Sequence, residues 1–492
     1  MSTNLNTPSS QPSFWGKYNL LCHALIMLII MFAIGTLQPT GSITPIGMKL
    51  LGIFAAALYG WTACGLFWPS LLAIVAMTFS GLYDSLAQFL PSSFGSETMV
   101  FVLFLFAFTE VINEVGLVDY IANKMISFKI LNNRPWIFTF VFLLAAYICA
   151  AFINIFAALF VFWSMTYIVV RRFGFQPYDK YPTLLIMGVT LASIIGGCVM
   201  PYKPVPLIAL GAYSQVSGQA IDYLQYIMFS LPMTLLVMLF FVLICRFVFR
   251  PDLKELKHIN IDFVDKNALI LNTKQKTAAL FLILFILLML APSILPKTWA
   301  LAIIIKKLGI AGCLFILIIL MTLIRFDGQP LLDFKQMAAK GINWDIFLAF
   351  CFIIPFTSAF TSDVTGIKPF ILECLQPLLS SLSPMGFIIA AMIIATILTN
   401  FANNMVITTI FATLIFTIGA DLGLEIMPLI AILIICANLS IATPAACPQA
   451  AMMFGNKEWC RTKDLYTYSL IFIVIAFVLT LSMGIIWANI IF

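Results

Sequence analysis

The sequence predicts an all-α polytopic membrane protein with about 11 transmembrane helices and two re-entrant hairpins, arranged as two inverted repeats. Three observations lead there. The 492 residues are 62% hydrophobic and 9% charged, with a mean hydropathy of +1.08, whereas soluble domains average roughly 45–50% apolar and about 25% charged. Apolar runs near the ~20 residues that a bilayer core requires recur along the whole chain. Basic residues cluster between particular runs, and this decides which runs cross the membrane and which turn back.

The stretch from Met1 to Trp15 is polar and has no basic n-region, and the apolar run after it lacks a small-residue cleavage site, so no removable signal peptide is expected. Apolar runs follow at 20–37, 47–64, 65–80, 98–127, 135–170, 181–212, 222–249, 278–295, 308–324, 344–370, 384–417, 426–454 and 465–491. The net charge of +6 does not indicate a nucleic-acid partner, because the cations lie in short loops between these runs. Eleven Cys with no C-x-x-C pair, and only two His (His23 and His258), give no support for a disulfide framework or a histidine metal centre.

The basic clusters lie at Lys124, Lys129 and Arg134; at Arg171, Arg172 and Lys180; from Arg246 to Lys276; at Arg325, Lys335 and Lys340; and at Lys457, Arg461 and Lys463. With Lys17 they hold 20 of the 26 Lys and Arg, and all are cytoplasmic only if an even number of crossings separates each from the next. Run 135–170 is basic at both ends, so it enters and leaves by one face. One straight helix of that length would reach about 50 Å, against a core of roughly 30 Å. Run 384–417 has no basic flank, with Ser380, Ser381 and Ser383 before it and Asp421 and Glu425 after it, and parity makes it a hairpin from the outside.

The resulting plan has the N-terminus cytoplasmic and the C-terminus outside. Residues 1–46 form a tail and first helix, 47–250 a first repeat with hairpin 135–170 and broken helix 181–212, and 251–277 a cytoplasmic linker. A second repeat, 278–492, carries hairpin 384–417 and broken helix 426–454. Hairpins entering from opposite faces are the signature of inverted repeats. A faint internal echo agrees: Val115-Gly116-Leu117 after one span and Val364-Thr365-Gly366-Ile367 after its counterpart.

Backbone at membrane depth must be bonded internally or line a protected cavity, so polar residues and helix breakers there point to sites. Asn154 falls midway along the first hairpin, and Asn403-Asn404 midway along the second. An Asn carbonyl at a broken helix end can coordinate a small cation, and the opposing half-helix N-terminus offers N–H groups to an anion. A single Asn in this setting also bonds across packed helices. The next span in each repeat is broken as well, by Gly196-Gly197…Pro201-Tyr202-Lys203-Pro204 in the first and by Thr443-Pro444…Pro448 in the second. Lys203 sits where a lysine costs roughly 2.5 kcal/mol or more on insertion, which makes it a candidate anion ligand or internal cation, and its burial opens proton coupling. A lysine snorkelling from a tilted helix is the bland account. Glu110 and Glu114, four apart on one helical face, are either partners for that charge or the lining of a cavity.

Two hairpins with Asn at the tip, each followed by a span broken by Gly and Pro, resemble the divalent-anion:sodium symporter family of dicarboxylate, citrate and sulfate carriers, within the broader ion-transporter superfamily. The resemblance covers roughly residues 47–491 and includes Trp344-Asp345-Ile346-Phe347-Leu348 and Glu114-Val115-Gly116-Leu117. Where that family carries Ser-Asn-Thr at each tip, this chain has Ile153-Asn154-Ile155 and Asn403-Asn404-Met405, so both Asn are kept and both Thr are replaced by apolar residues. The resemblance implies an elevator-type carrier acting as a homodimer in the cell membrane. Its substrate would lie among Asn154, Asn403, Asn404, Pro201, Lys203, Thr443 and Pro444. Sodium would sit near Asn154 with Gly197 and near Asn404 with Thr443.

The expected function is secondary active transport of a small organic anion, a di- or other carboxylate, coupled to sodium or protons. No cofactor is expected beyond such coupling ions, and the partners are the anion, membrane lipid and a second copy of the chain. The alternative is a cation/proton or inorganic-anion antiporter on the same superfold, which the loss of both Thr favours. No G-x-S-x-G, no H-E-x-x-H and no mid-depth His is present, so no enzyme is expected.

Overall fold

The computed structural model describes residues 14–127, 134–218, 221–254, 269–296, 298–370, 373, 383–419 and 422–492. The centre of the linker and Ser380, Ser381 and Asp421 lie outside them. The described chain is helical but for a two-residue β-ladder, Arg325–Phe326 against Gln329–Pro330. Among the described residues, seven helices are long and apolar enough to cross a bilayer, or up to nine if two bent pairs each count as one span. The apolar runs suggested more, because hydropathy does not register where a helix bends or stops. The run at 98–127, for example, is two helices meeting at 50°.

In the first half, α1 (Phe14–Gly35), α2 (Pro45–Cys64), α3 (Phe67–Thr78) and the short α4 (Leu86–Phe89) precede the bent pair α5 (Glu97–Glu114) and α6 (Leu117–Ile126). Gly116 makes that bend in the left-handed region at φ 74°, a conformation that glycine adopts without a Cβ clash. The hairpin is α7 (Pro135–Phe152) and α8 (Ile155–Arg172). The broken span that follows is α9 (Lys180–Gly196) and α10 (Pro204–Ser217), and α11 (Tyr223–Ile244) closes the half.

The second half opens with α12 (Thr273–Ile294) and α13 (Ala300–Leu323), then turns by 78° between α14 (Phe334–Gly341) and α15 (Trp344–Thr361). Gly366, the counterpart of Gly116 in the sequence echo, also has a positive φ, 63°. Next come α16 (Pro384–Leu398), α17 (Asn404–Leu414), α18 (Ile426–Ala437), α19 (Pro448–Gly455) and α20 (Thr462–Ile491). Both halves therefore run through a helix pair parted at Asn, then a span parted at Pro.

α7 and α8 lie on α9, α10 on α17 and α18, and α16 and α17 on α18; α2 packs with α1 and α3, α3 on α15, and α5 on α13 and α14; α15 joins the two sets by packing on α10 as well as on α3. The basic loops meet one another. Arg171 pairs with Glu458 at 2.9 Å, the Tyr178 amide donates to the Trp459 carbonyl, and the Asn456 amide donates to the Tyr167 hydroxyl. Lys340 pairs with Glu114 at 3.2 Å, and Gln275 donates to the Val115 carbonyl. Two further contacts join loops of acidic or neutral character: the Ser42 hydroxyl donates to Glu373, and Ser293 donates to Asp222.

Candidate functional site

Each tip is built by its own asparagine. α7 ends at Phe152, and the Asn154 side-chain oxygen accepts from the Phe156 and Ala157 amides at 2.9 and 3.0 Å, capping α8. That oxygen, expected from sequence to be free for a cation, is thus engaged by two backbone donors. In the second tip Asn403 caps α17 through the Met405 amide, and Asn404 donates to the Asn438 side chain at 3.0 Å.

The unwound segments are satisfied from neighbouring side chains, as a membrane interior requires. The Cys198 and Val199 carbonyls, freed where α9 stops, accept from the Tyr226 and Ser230 hydroxyls of α11. In the second half Asn400 donates to the Leu439 carbonyl and accepts from the Ala442 amide, Thr399 donates to Ala437, and the Thr443 hydroxyl donates to the Asn400 carbonyl. Gly196 and Gly197 serve close approach: a Cβ on Gly196 would stand 2.7 Å from the Tyr147 carbonyl, and one on Gly197 would stand 2.7 Å from Ile155.

Lys203 is 5% exposed, and its ammonium donates to the Ile153 carbonyl at 2.9 Å, at the end of α7. Its neighbour Tyr202 donates to the Phe152 carbonyl. The lysine therefore ties the broken span to the first tip and does not snorkel. It pairs with neither Glu110 nor Glu114, since Glu114 is taken by Lys340. Glu110 instead lines a cavity of about 780 Å³ that also holds Asn154, Lys203, Lys340 and Asp345.

A second, smaller cavity of about 140 Å³ adjoins this one and shares Ile155, Phe156, Pro204, Asn343, Asp345 and Ile346 with it. Its wall takes in five helix beginnings and two helix ends, that of α9 at Ile194 and Gly197 and that of α18 at Asn438. Ile155 and Phe156 open α8, Pro204 and Val205 open α10, Asn404 and Met405 open α17, Pro448 and Gln449 open α19, and Asn343 to Ile346 begin α15. Each helix start carries roughly half a positive charge, although caps already engage first-turn N–H groups of α8, α15, α17 and α19, from Asn154, Asn343, Asn403 and Cys447. Proline at the first position of α10 and of α19 removes a donor there, so those two contribute field more than hydrogen bonds. Gln449, 9% exposed, also lines the smaller cavity.

Of the residues singled out from sequence, Asn154 and Lys203 face the larger cavity, while Asn403, Asn404 and Gly197 face the smaller. Pro201 lines a different cavity, with Glu97 and Lys306, and Pro444 is exposed beside Thr443. Asn343, Asp345, Asn438 and Gln449 were not foreseen as site residues. A signal existed for α15, where Asn343 precedes a long apolar run as an N-cap and Asp345 falls in its first turn.

A many-helix membrane bundle whose helix starts converge on an internal cavity belongs to the class of secondary transporters. The citrate transporter family model (CitMHS) matches residues 14–437. The chain belongs to that family. Its fold is similar to that of the YdaH transporter of Alcanivorax borkumensis, described as having an unusual topology, at 15% identity and a TM-score of 0.60 over 96% of this chain and 98% of that one. It is also similar to Neisseria gonorrhoeae MtrF, described with a class of antimetabolite efflux pumps, at 12% identity and a TM-score of 0.53 over 93% and 97%. No curated protein matches the sequence.

Proposed function

We propose that this protein carries a small organic anion, a di- or tricarboxylate of the citrate kind, across the cell membrane, coupled to sodium or protons. The observation that carries the reading is the convergence of the first turns of α8, α10, α15, α17 and α19 on one cavity. The aligned peptide dipoles of these starts favour a carboxylate there. The cavity of about 140 Å³ suits one carboxylate, and the adjoining 780 Å³ with the Lys203 ammonium suits the rest of a polyanion. The family's description as citrate transporters makes citrate the first compound to test.

The mechanism proposed is an elevator in a homodimer. Contacts between the 167–179 and 456–459 segments and between Asn400 and the 439–443 break tie both tips and both broken spans into one body, which supports their moving together. The orientation proposed has the N-terminus cytoplasmic and the C-terminus outside, supported by contacts between the basic loops. Uptake of labelled citrate, succinate, acetate and sulfate into proteoliposomes under imposed sodium or proton gradients tests the function. Saturable, gradient-driven accumulation of a carboxylate is expected. Transport of inorganic ions alone would replace this reading with the antiporter.

A further inference from the structure

Among the residues lining the smaller cavity, Asp345 is the one ionisable side chain. It also lines the larger cavity, is exposed to that space, and forms no ion pair or hydrogen bond among the described residues. The cations nearby are otherwise engaged: Lys203 on the Ile153 carbonyl and Lys340 on Glu114, while Glu110 adds a second carboxylate to the larger space only. An unpaired carboxylate thus shares a cavity with the beginnings of four helices, α8, α10, α17 and α19, and with the ends of α9 and α18, whose half-charges leave a net of about one positive charge.

We propose that Asp345 is a surrogate anion: in the empty carrier its carboxylate occupies the field of the four helix starts, and an incoming substrate carboxylate must displace it. The inference rests on the anion-carrier reading above. Asp345 sits on α15, which packs on α3 and α10, while the facing starts belong to the tips (α8 and α17) and to the broken spans (α10 and α19). Asp345 therefore neutralises the facing helix starts when no substrate does, and it sets a selectivity threshold, because only an anion that binds the field better than a tethered carboxylate wins. Its position in the first turn of α15 also favours that helix, but that role predicts no change in substrate affinity.

The test uses full-length protein in proteoliposomes, comparing wild type, Asp345→Asn and the charge-preserving Asp345→Glu, with folding checked by size exclusion and thermal unfolding. The KM for citrate is expected to fall several-fold in Asp345→Asn, more for citrate than for succinate and least for acetate. Net uptake into substrate-free vesicles should slow relative to citrate exchange, because the empty carrier loses its internal counter-charge. Asp345→Glu, which keeps the charge, should change the KM for citrate less than Asp345→Asn does. Should the Asn variant fail to fold, Asp345→Ser repeats the neutralisation. An unchanged KM and exchange ratio, or a KM that rises for every anion, overturns the proposal while leaving the carrier reading intact. A wild-type protein that moves no carboxylate overturns both.

Discussion

Asn154 shows how one side chain can be found for one reason and used for another. Its depth in an apolar hairpin marked it, and in the structure it caps α8 with the oxygen a cation would need. Asn154→Ala should therefore cost about 1 kcal/mol of local helix stability and abolish uptake, with Asn154→Asp restoring the cap. Asn404→Ala should abolish uptake too, because it severs the link to Asn438. Normal uptake in both alanine variants would make these residues packing elements only. Lys203 was legible because buried cations are costly; that its partner is the Ile153 carbonyl was not, since the two are 50 residues apart. Lys203→Met leaves that carbonyl without its donor, about 1–3 kcal/mol, and is expected to stop anion uptake. Wild-type rate, sodium dependence and pH profile in Lys203→Met would remove it from the site. Asp345 registers in the sequence only as part of the Trp344–Leu348 stretch, because a carboxylate in a helix's first turn is ordinary there and only the facing helices make it unusual.

At the scale of elements, proline, glycine and asparagine were legible and bends were less so. Pro204 and Pro448 each begin a half-helix, as their missing N–H allows. Residues 65–80 read as a span, yet α3 has only 12 residues, because hydropathy measures solvent preference and not helical continuity. The Gly196-Gly197 pair reads as a helix breaker; its use is contact between α9 and the first hairpin. Gly196→Val would place carbons into the Tyr147 carbonyl and should destabilise by about 1–3 kcal/mol, lowering the thermal unfolding midpoint and uptake together. A variant that unfolds like wild type would show that α7 and α9 can part freely.

For the molecule as a whole, single cysteines at Gly174 and Lys335 should label from the cytoplasmic side and one at Ser381 from outside. Labelling of position 381 from the cytoplasm would break the two-hairpin plan. The native Cys460 should stay silent in that assay: burial pushes its thiol up to about 12, and it is 3% exposed, although the neighbouring Lys457 and Glu458 are open to solvent. Rapid maleimide labelling of Cys460 would mean that the loop between α19 and α20 opens.

Composition by itself determined that this chain lives in a bilayer, since a 62% hydrophobic chain has no other solvent. The residue pattern also marked Asn154, Asn403, Asn404 and Lys203, because polar groups in hydrocarbon are too costly to be incidental. Tertiary structure alone decided which helix starts face one another, that Asp345 stands among them, and that Lys203 binds a backbone carbonyl in place of a carboxylate. A helix start carries its charge in the backbone, which every residue has alike. No side-chain pattern can reveal where several such starts meet until the chain is folded.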